Sequence, residues 1–203
     1  MLVACAGTPG AFPELSYDDA SRVFVTGIFV RAKELQQFPE CLEPGVLCAD
    51  PAPFSLVVRN AKQLFGESIP RGFEGATTSH WGISGMNLRN KTPRLFLLLR
   101  EGEARVIPKY SYSWLGRGAD GEEVLPIYGP YSDEWLPCTA EQLRSEIQFD
   151  SASIIRELAS QEFEDYPELY VVNGRRAIPK YGIRLEQLAE YLSSLSLQSF
   201  QCN

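Results

Sequence analysis

Val23-Phe24-Val25-Thr26-Gly27-Ile28-Phe29-Val30-Arg31-Ala32 is the stretch on which the fold turns. β-Branched and aromatic side chains fill it and favour a pleated, half-buried strand, while the central glycine predicts a bulge or bend. Phe54 to Ala61 reads as a second strand, which leads through Leu64-Phe65-Gly66 into a loop. Arg94 to Leu99 and Ala104 to Ile107 flank Arg100-Glu101-Gly102-Glu103 in a hairpin pattern, and Leu95 to Leu99 is apolar throughout, as in a buried strand. Asp120-Gly121 marks a tight turn ahead of another strand over Glu123 to Tyr128. Residues 68–92 are rich in Gly, Ser, Thr and Asn with weak periodicity. They predict a long irregular connection with room for one strand, and such connections often carry function.

The pattern shifts after residue 138. Thr139-Ala140-Glu141-Gln142 has the form of a helix start, with Thr139 as cap, and Leu143 and Ile147 supply an apolar face. Ile154, Ile155 and Leu158 mark a second helix. Leu169 to Ile178 is a hairpin around Asn173-Gly174, and Leu185, Leu188, Leu192 and Leu195 recur at helical spacing. The expected fold is α+β and β-rich. Residues 1–20 would be a signal end and tether, 21–138 a β-rich domain, and 139–203 a helical section containing a β-hairpin and packed on that domain.

The chain has 203 residues, 44% hydrophobic and 11% aromatic, enough to build a core unaided. It carries 19 Lys and Arg against 26 Asp and Glu, and its longest basic run is the pair Arg175-Arg176. Binding to phosphates needs clustered cations that release counterions, so nucleic acid is not the expected partner, and a charge-steered partner would be basic. No apolar run approaches the roughly 18 residues a membrane-spanning helix requires.

The cysteines are Cys5, Cys41, Cys48, Cys138 and Cys202. Leu2-Val3-Ala4-Cys5 resembles a bacterial lipobox, in which apolar and small residues precede the cysteine that receives the lipid. The resemblance implies an exported lipoprotein anchored through Cys5 in the periplasm, and it predicts that the basic and apolar parts of the signal are encoded upstream of Met1. Ala6, rather than an aspartate, after that cysteine implies the outer membrane. The alternative is a cytosolic globular chain that happens to start with a short apolar run. Ala6 to Pro13, rich in Gly and Pro, suits a tether. With Cys5 assigned to lipid, four cysteines remain and three pairings are open. Pro44-Gly45 between Cys41 and Cys48 is a turn signal that favours Cys41–Cys48, leaving Cys138 for Cys202. Four free, buried thiols are the alternative.

The strand sequence Val23 to Ala32, Phe54 to Gly66 and Arg94 to Leu99 is similar in outline to the netrin-like modules of tissue metalloproteinase inhibitors. The resemblance implies an OB-like barrel over residues 20–138. Those inhibitors chelate the protease zinc through a free N-terminal cysteine, and a lipidated Cys5 would not serve that way. Leu169 to Leu192 resembles the last hairpin and helix of thioredoxin-like oxidoreductases, but the chain contains no Cys-x-x-Cys and redox chemistry is not implied. Arg105-Val106-Ile107-Pro108-Lys109-Tyr110 echoes Arg176-Ala177-Ile178-Pro179-Lys180-Tyr181, best read as two strand ends broken by proline.

His80 is the only histidine, so a Ser-His-Asp or Cys-His hydrolase would have to use it; a structural histidine beside Trp81 is the blander alternative. Ser84 in Gly82-Ile83-Ser84-Gly85 misses the nucleophile-elbow pattern. One histidine with cysteines committed to disulfides cannot furnish a zinc site, and Asp18-Asp19 and Glu162-Phe163-Glu164-Asp165 lack calcium-loop spacing, so neither metal nor cofactor is expected. Gly116-Arg117-Gly118 lacks the lysine of a phosphate-binding loop. Aromatic residues are the better lead: Tyr110, Tyr112 and Trp114 alternate, with Trp81 and Trp135 as further candidates. Alternate residues share one face of a strand, and such a stripe suits a glycan or a protein partner, or else core packing. The reading is a non-enzymatic envelope lipoprotein that binds a protein, as inhibitor, toxin-immunity factor or assembly component. An envelope hydrolase using His80 is the second reading.

Overall fold

The computed structural model describes residues 10–16, 19–46, 48, 52–128, 135–150, 152–153, 166–173 and 176–195. β1 (Ser21–Glu34) and β2 (Phe54–Phe65) form a long antiparallel ribbon. Thr26 pairs with Lys62 and Ile28 with Arg59, so Gly27 faces two residues, Asn60 and Ala61. The irregularity expected at Gly27 is a β-bulge whose extra residue lies on the partner strand, with Asn60 in the left-handed region at φ 53°. β3 (Gly72–Thr77) pairs antiparallel with β2, and its Ala76 pairs in parallel with Val106 of β5 (Ala104–Val106). β4 (Arg94–Glu101) forms the expected hairpin with β5 and also pairs with β1. The order β1-β2-β3-β5-β4-β1 closes a five-stranded, OB-like barrel, and β6 (Tyr112–Trp114) extends the sheet from β4. Val23, Phe24, Val25, Phe29, Phe54, Leu56 and Val58 are buried, as is Met86 from a 3₁₀ turn over Gly82–Met86.

Downstream, β7 (Gly116–Arg117), β8 (Glu123–Pro126), β9 (Ser145–Glu146) and β12 (Tyr181–Arg184) make a four-stranded sheet in the order β7-β8-β12-β9. A Cβ at Gly182 would lie 2.5 Å from the Val124 Cγ1 and 3.0 Å from the Leu125 carbonyl oxygen, so β12 can approach β8 only with glycine there. β10 (Tyr170–Asn173) and β11 (Arg176–Pro179) form the hairpin read from Asn173-Gly174. α1 (Leu185–Ser194) buries Leu185, Leu188 and Leu192, the stripe read from their spacing. The result is a β-rich α+β fold.

β9 was not expected, and the helix expected ahead of it does not form. The helix predicted from Thr139 through Ile147 is a 3₁₀ turn over Cys138–Leu143, after which the chain enters β9. The Ile147 N–H donates to the Lys180 carbonyl at 3.0 Å, and its side chain packs with Val124 and Phe149, so pairing and burial override a short cap signal. The helix predicted at Ile154 to Leu158 lies outside the described residues.

The chain divides into two compact units, Met1–Lys91 with Leu97–Ser111, and Thr92–Phe96 with Tyr112–Asn203. The first has eleven basic and eleven acidic residues, the second eight and fifteen. The whole net charge of -7 therefore resides in the second unit.

Candidate functional site: one end of the barrel

Three loops leave the barrel from the same end. Leu35 donates its N–H to Pro53 O at 2.8 Å, Phe54 pairs with Thr77, and Ala76 pairs with Val106. The segments that follow Glu34, Thr77 and Val106 therefore emerge together. Residues 10–16 join them: Gln36 donates its N–H to Gly10 O at 2.8 Å, and Phe12 packs on Phe38 with ring centroids 5.3 Å apart. Between these segments lies a cavity of about 410 Å³ lined by Phe12, Leu15, Phe38, Thr78, Ile107 and Lys109 among others.

Large apolar side chains on these loops stand in solvent. Leu42 is 63% exposed, Val46 43%, Trp81 77% and Tyr110 56%, and these are all the exposed large hydrophobics of the first unit among its described residues. Each is held by local structure. The expected Cys41–Cys48 disulfide, with Cα atoms 5.5 Å apart, closes the loop that carries Leu42 and Val46. Around Trp81 the backbone is tied several times over. The Trp81 N–H donates to Ser79 Oγ at 3.3 Å, the Gly82 N–H to Ser79 O at 2.9 Å, and Ser84 Oγ to Trp81 O at 2.7 Å. Tyr110 stands in a turn at φ 65°, a left-handed conformation that costs a bulky residue on the order of 1 kcal/mol or more. The Lys109 Nζ lies 5.0 Å from the Tyr110 ring centroid and 3.3–3.4 Å from the His80 ring nitrogens, and the His80 and Tyr110 rings are 5.9 Å apart. Trp81, His80, Lys109 and Tyr110 are thus presented by loops pinned into shape, which limits the ordering cost of a partner's arrival.

The other residues singled out from the sequence fall elsewhere. Tyr112 and Trp114 sit half-buried on β6, and the Arg94 guanidinium stacks 3.7 Å from the Trp114 ring centroid. Burial lowers the Arg94 pKa to about 10, partly countered by Tyr112, and Trp114 helps to cover that buried cation. Trp135 is half-buried in the second unit. Cys5, Cys202 and the Cys138 side chain lie outside the described residues, so neither the lipid site nor the second disulfide is among them. The two serines nearest His80 in sequence, Ser79 and Ser84, are both bonded to the Trp81 backbone. Among the described residues, no cluster of three or more His, Cys, Asp or Glu is placed to hold a metal ion, and no helix is long and apolar enough to cross a membrane. Leu42, Val46 and Lys109 were not signalled as binding residues by the sequence; the Pro44-Gly45 turn inside a cysteine pair was the available hint. Compared with protein-family models, curated proteins and solved structures, the chain matches none.

Proposed function

We propose that this chain is an exported lipoprotein, anchored through Cys5 at the periplasmic side of the outer membrane, and that it binds a protein partner with the loop end of its barrel. The observation that carries the reading is the presence of Leu42, Val46, Trp81 and Tyr110 on the loops at that end, while the other large hydrophobics among the unit's described residues are covered. Contiguous exposed apolar surface is unfavourable in water and marks interaction sites, and aromatic anchors beside a pocket supply most of the binding energy of protein interfaces. The adjoining cavity can receive one apolar side chain of the partner, with His80 and Lys109 as polar neighbours.

The test is site-specific photo-crosslinking in cells, with the crosslinker at position 81 and a control at Val172, which is exposed on β10 of the second unit. A single protein crosslinked from position 81 alone is the expected result. Trp81→Ala should then weaken the purified complex by about tenfold or more without lowering thermal stability. Crosslinks to lipid only, or unchanged affinity in Trp81→Ala, would overturn the docking reading. Lipidation is tested separately, by incorporation of labelled fatty acid that Cys5→Ser abolishes.

A further inference from the structure

The outer face of the sheet formed by β1, β2 and β3 is basic. Residues paired across neighbouring strands share a side of the sheet. The register therefore sets Lys33 beside Ser55, Arg31 beside Val57 and Glu74, Arg59 beside Ile28, and Lys62 beside Thr26 on that face. Phe29, Val58 and Phe73 pair on the opposite side, in the core. Arg31, Lys33, Arg59 and Lys62 are all exposed, and Ile28 and Val57 lie half-buried among them. Arg71, exposed just before β3, flanks the row, its carbonyl accepting the Ala61 N–H at 2.9 Å. Glu74 is the single acid in these pairings, and Glu34, next to Lys33, falls on the alternate side with Phe54. From the level of Ser55 to Lys62 the row runs about 20 Å along β2.

Other cations of this unit are engaged: Arg100 reaches Glu67 and Arg105 reaches Glu103, each at 3.6 Å. Among the described residues, the side chains of Arg31, Lys33, Arg59 and Lys62 make no ion pair or hydrogen bond. Like charges on adjacent strands repel, and a unit with as many acids as bases could have interleaved them. The complement of such a row is an anionic surface that meets several charges at once. Lys33 also stands near the point where the N-terminal segment leaves the barrel, three residues before Gln36, whose N–H holds Gly10. With Cys5 in a bilayer, Gly10 can be no more than about 18 Å from that anchor. We propose that the β1–β2–β3 face binds a bilayer surface bearing anionic phospholipids, with its cations on the headgroup phosphates and Ile28 and Val57 against the same layer. The setting rests on the anchored-lipoprotein reading; the charge complementarity does not. Electrostatic attraction fades over about 8 Å at physiological salt, so this local face, not the net charge of -7, decides adsorption.

The experiment is flotation of the full chain carrying Cys5→Ser, which has no lipid of its own, with vesicles at about 50 mM and about 300 mM salt. The vesicles are phosphatidylcholine alone, or phosphatidylcholine with about one third phosphatidylglycerol. The chain should float with the anionic vesicles at low salt, dissociate at high salt and ignore the neutral ones. Each cation near an anionic surface contributes about fivefold, so Lys33→Gln with Arg59→Gln should weaken partitioning by about twentyfold or more. Arg89→Gln with Lys91→Gln makes the same charge change in the exposed loop before β4 and should weaken it less than about threefold. Should the Lys33 and Arg59 pair fail to fold, the lipid and salt comparisons on the Cys5→Ser chain decide. No flotation with anionic vesicles at low salt, equal flotation with both vesicle types, or equal loss in the two pairs would each overturn the inference. So would tighter binding of poly-glutamate or a DNA duplex than of anionic vesicles at the same salt. Fatty-acid labelling is scored apart: flotation without labelling removes the anchor and keeps this face, and labelling without flotation does the reverse.

Discussion

Substituting alanine for Gly85 probes how the Trp81 loop is held. A Cβ at Gly85 would lie 2.4 Å from the Trp81 Cβ and 3.3 Å from its Cγ, whereas non-bonded carbons rest about 3.5–4.0 Å apart. The obstacle is the stem of the indole, not a flexible tip, so the backbone itself must move by about 1 Å. The bonds that close this turn, from Ser84 Oγ at 2.7 Å and the Gly85 N–H at 3.3 Å onto Trp81 O, span the same gap and would be disturbed together. Overpacking of this kind costs about 1–3 kcal/mol, offset by the roughly 0.4–1 kcal/mol that alanine gains over glycine from a less mobile unfolded chain. For a chain of this length the net loss, at most about 2.6 kcal/mol, corresponds to a fall of up to about 10 °C in Tm. Because the clash is with the Cβ, Trp81→Ala should not relieve it, whereas Trp81→Gly should. Calorimetry on Gly85→Ala, Trp81→Gly and the double variant forms a cycle in which the double variant recovers stability lost by Gly85→Ala. On the docking reading proposed above, Gly85→Ala should also weaken partner binding, since it displaces the Trp81 indole. A double variant no more stable than additivity predicts would refute the packing argument.

Other outcomes follow from the same structure. Cys41→Ser with Cys48→Ser should lower stability by about 2.5 kcal/mol through loss of a short closed loop, and should weaken partner binding because Leu42 and Val46 are no longer held; denaturant melts and affinity measurement check both. Asp120 accepts the Glu122 N–H at 3.1 Å and pairs with Arg184, which hold its carboxyl below the usual value of 3.8. Its contribution is therefore complete above pH 3.8 and fades as pH falls through the lower folded-state value, so Asp120→Asn should flatten the acid limb of a stability–pH profile relative to wild type. Gly182→Ala should cost at least about 1–3 kcal/mol, because its Cβ meets the Leu125 backbone as well as Val124. At temperatures where the variant is folded, partner binding at the barrel end should be unchanged.

How far the fold could be read in advance depended on how local the signal was. The strands around Val23, Phe54 and Arg94, the hairpin at Asn173-Gly174 and the leucine stripe of α1 are written in periodicity and turn chemistry, and all appear. The bulge was readable at Gly27, but not its location on β2, because Asn60 is displaced only by the register with its partner strand. β9 was missed for the same reason: its two residues join a sheet by pairing with Tyr181 and Gly182, neighbours distant in sequence. At the site, Trp81, His80 and Tyr110 were visible as residue types, but their convergence depends on the parallel pairing of β3 with β5, which no local pattern encodes. Exposure is the property that separates Trp81 from the half-buried Trp114, and it is set by the fold as a whole.

The bond from Gln36 to Gly10 fixes where the N-terminal segment leaves the barrel, and that exit lies at the end that carries Trp81 and Tyr110. With lipid on Cys5, only four residues would lie between the anchor and Gly10, and the five Cα-to-Cα steps fully extended reach at most about 18 Å. So short a leash would confine the binding end to a thin layer over the membrane surface. Encounters would then become two-dimensional, with a partner in the same leaflet seen at a raised effective concentration and one free in the compartment gaining nothing. A secreted form lacking the lipid would keep every contact yet lose occupancy, and lengthening the leash with Gly-Ser repeats should erode binding in cells while leaving affinity in solution untouched.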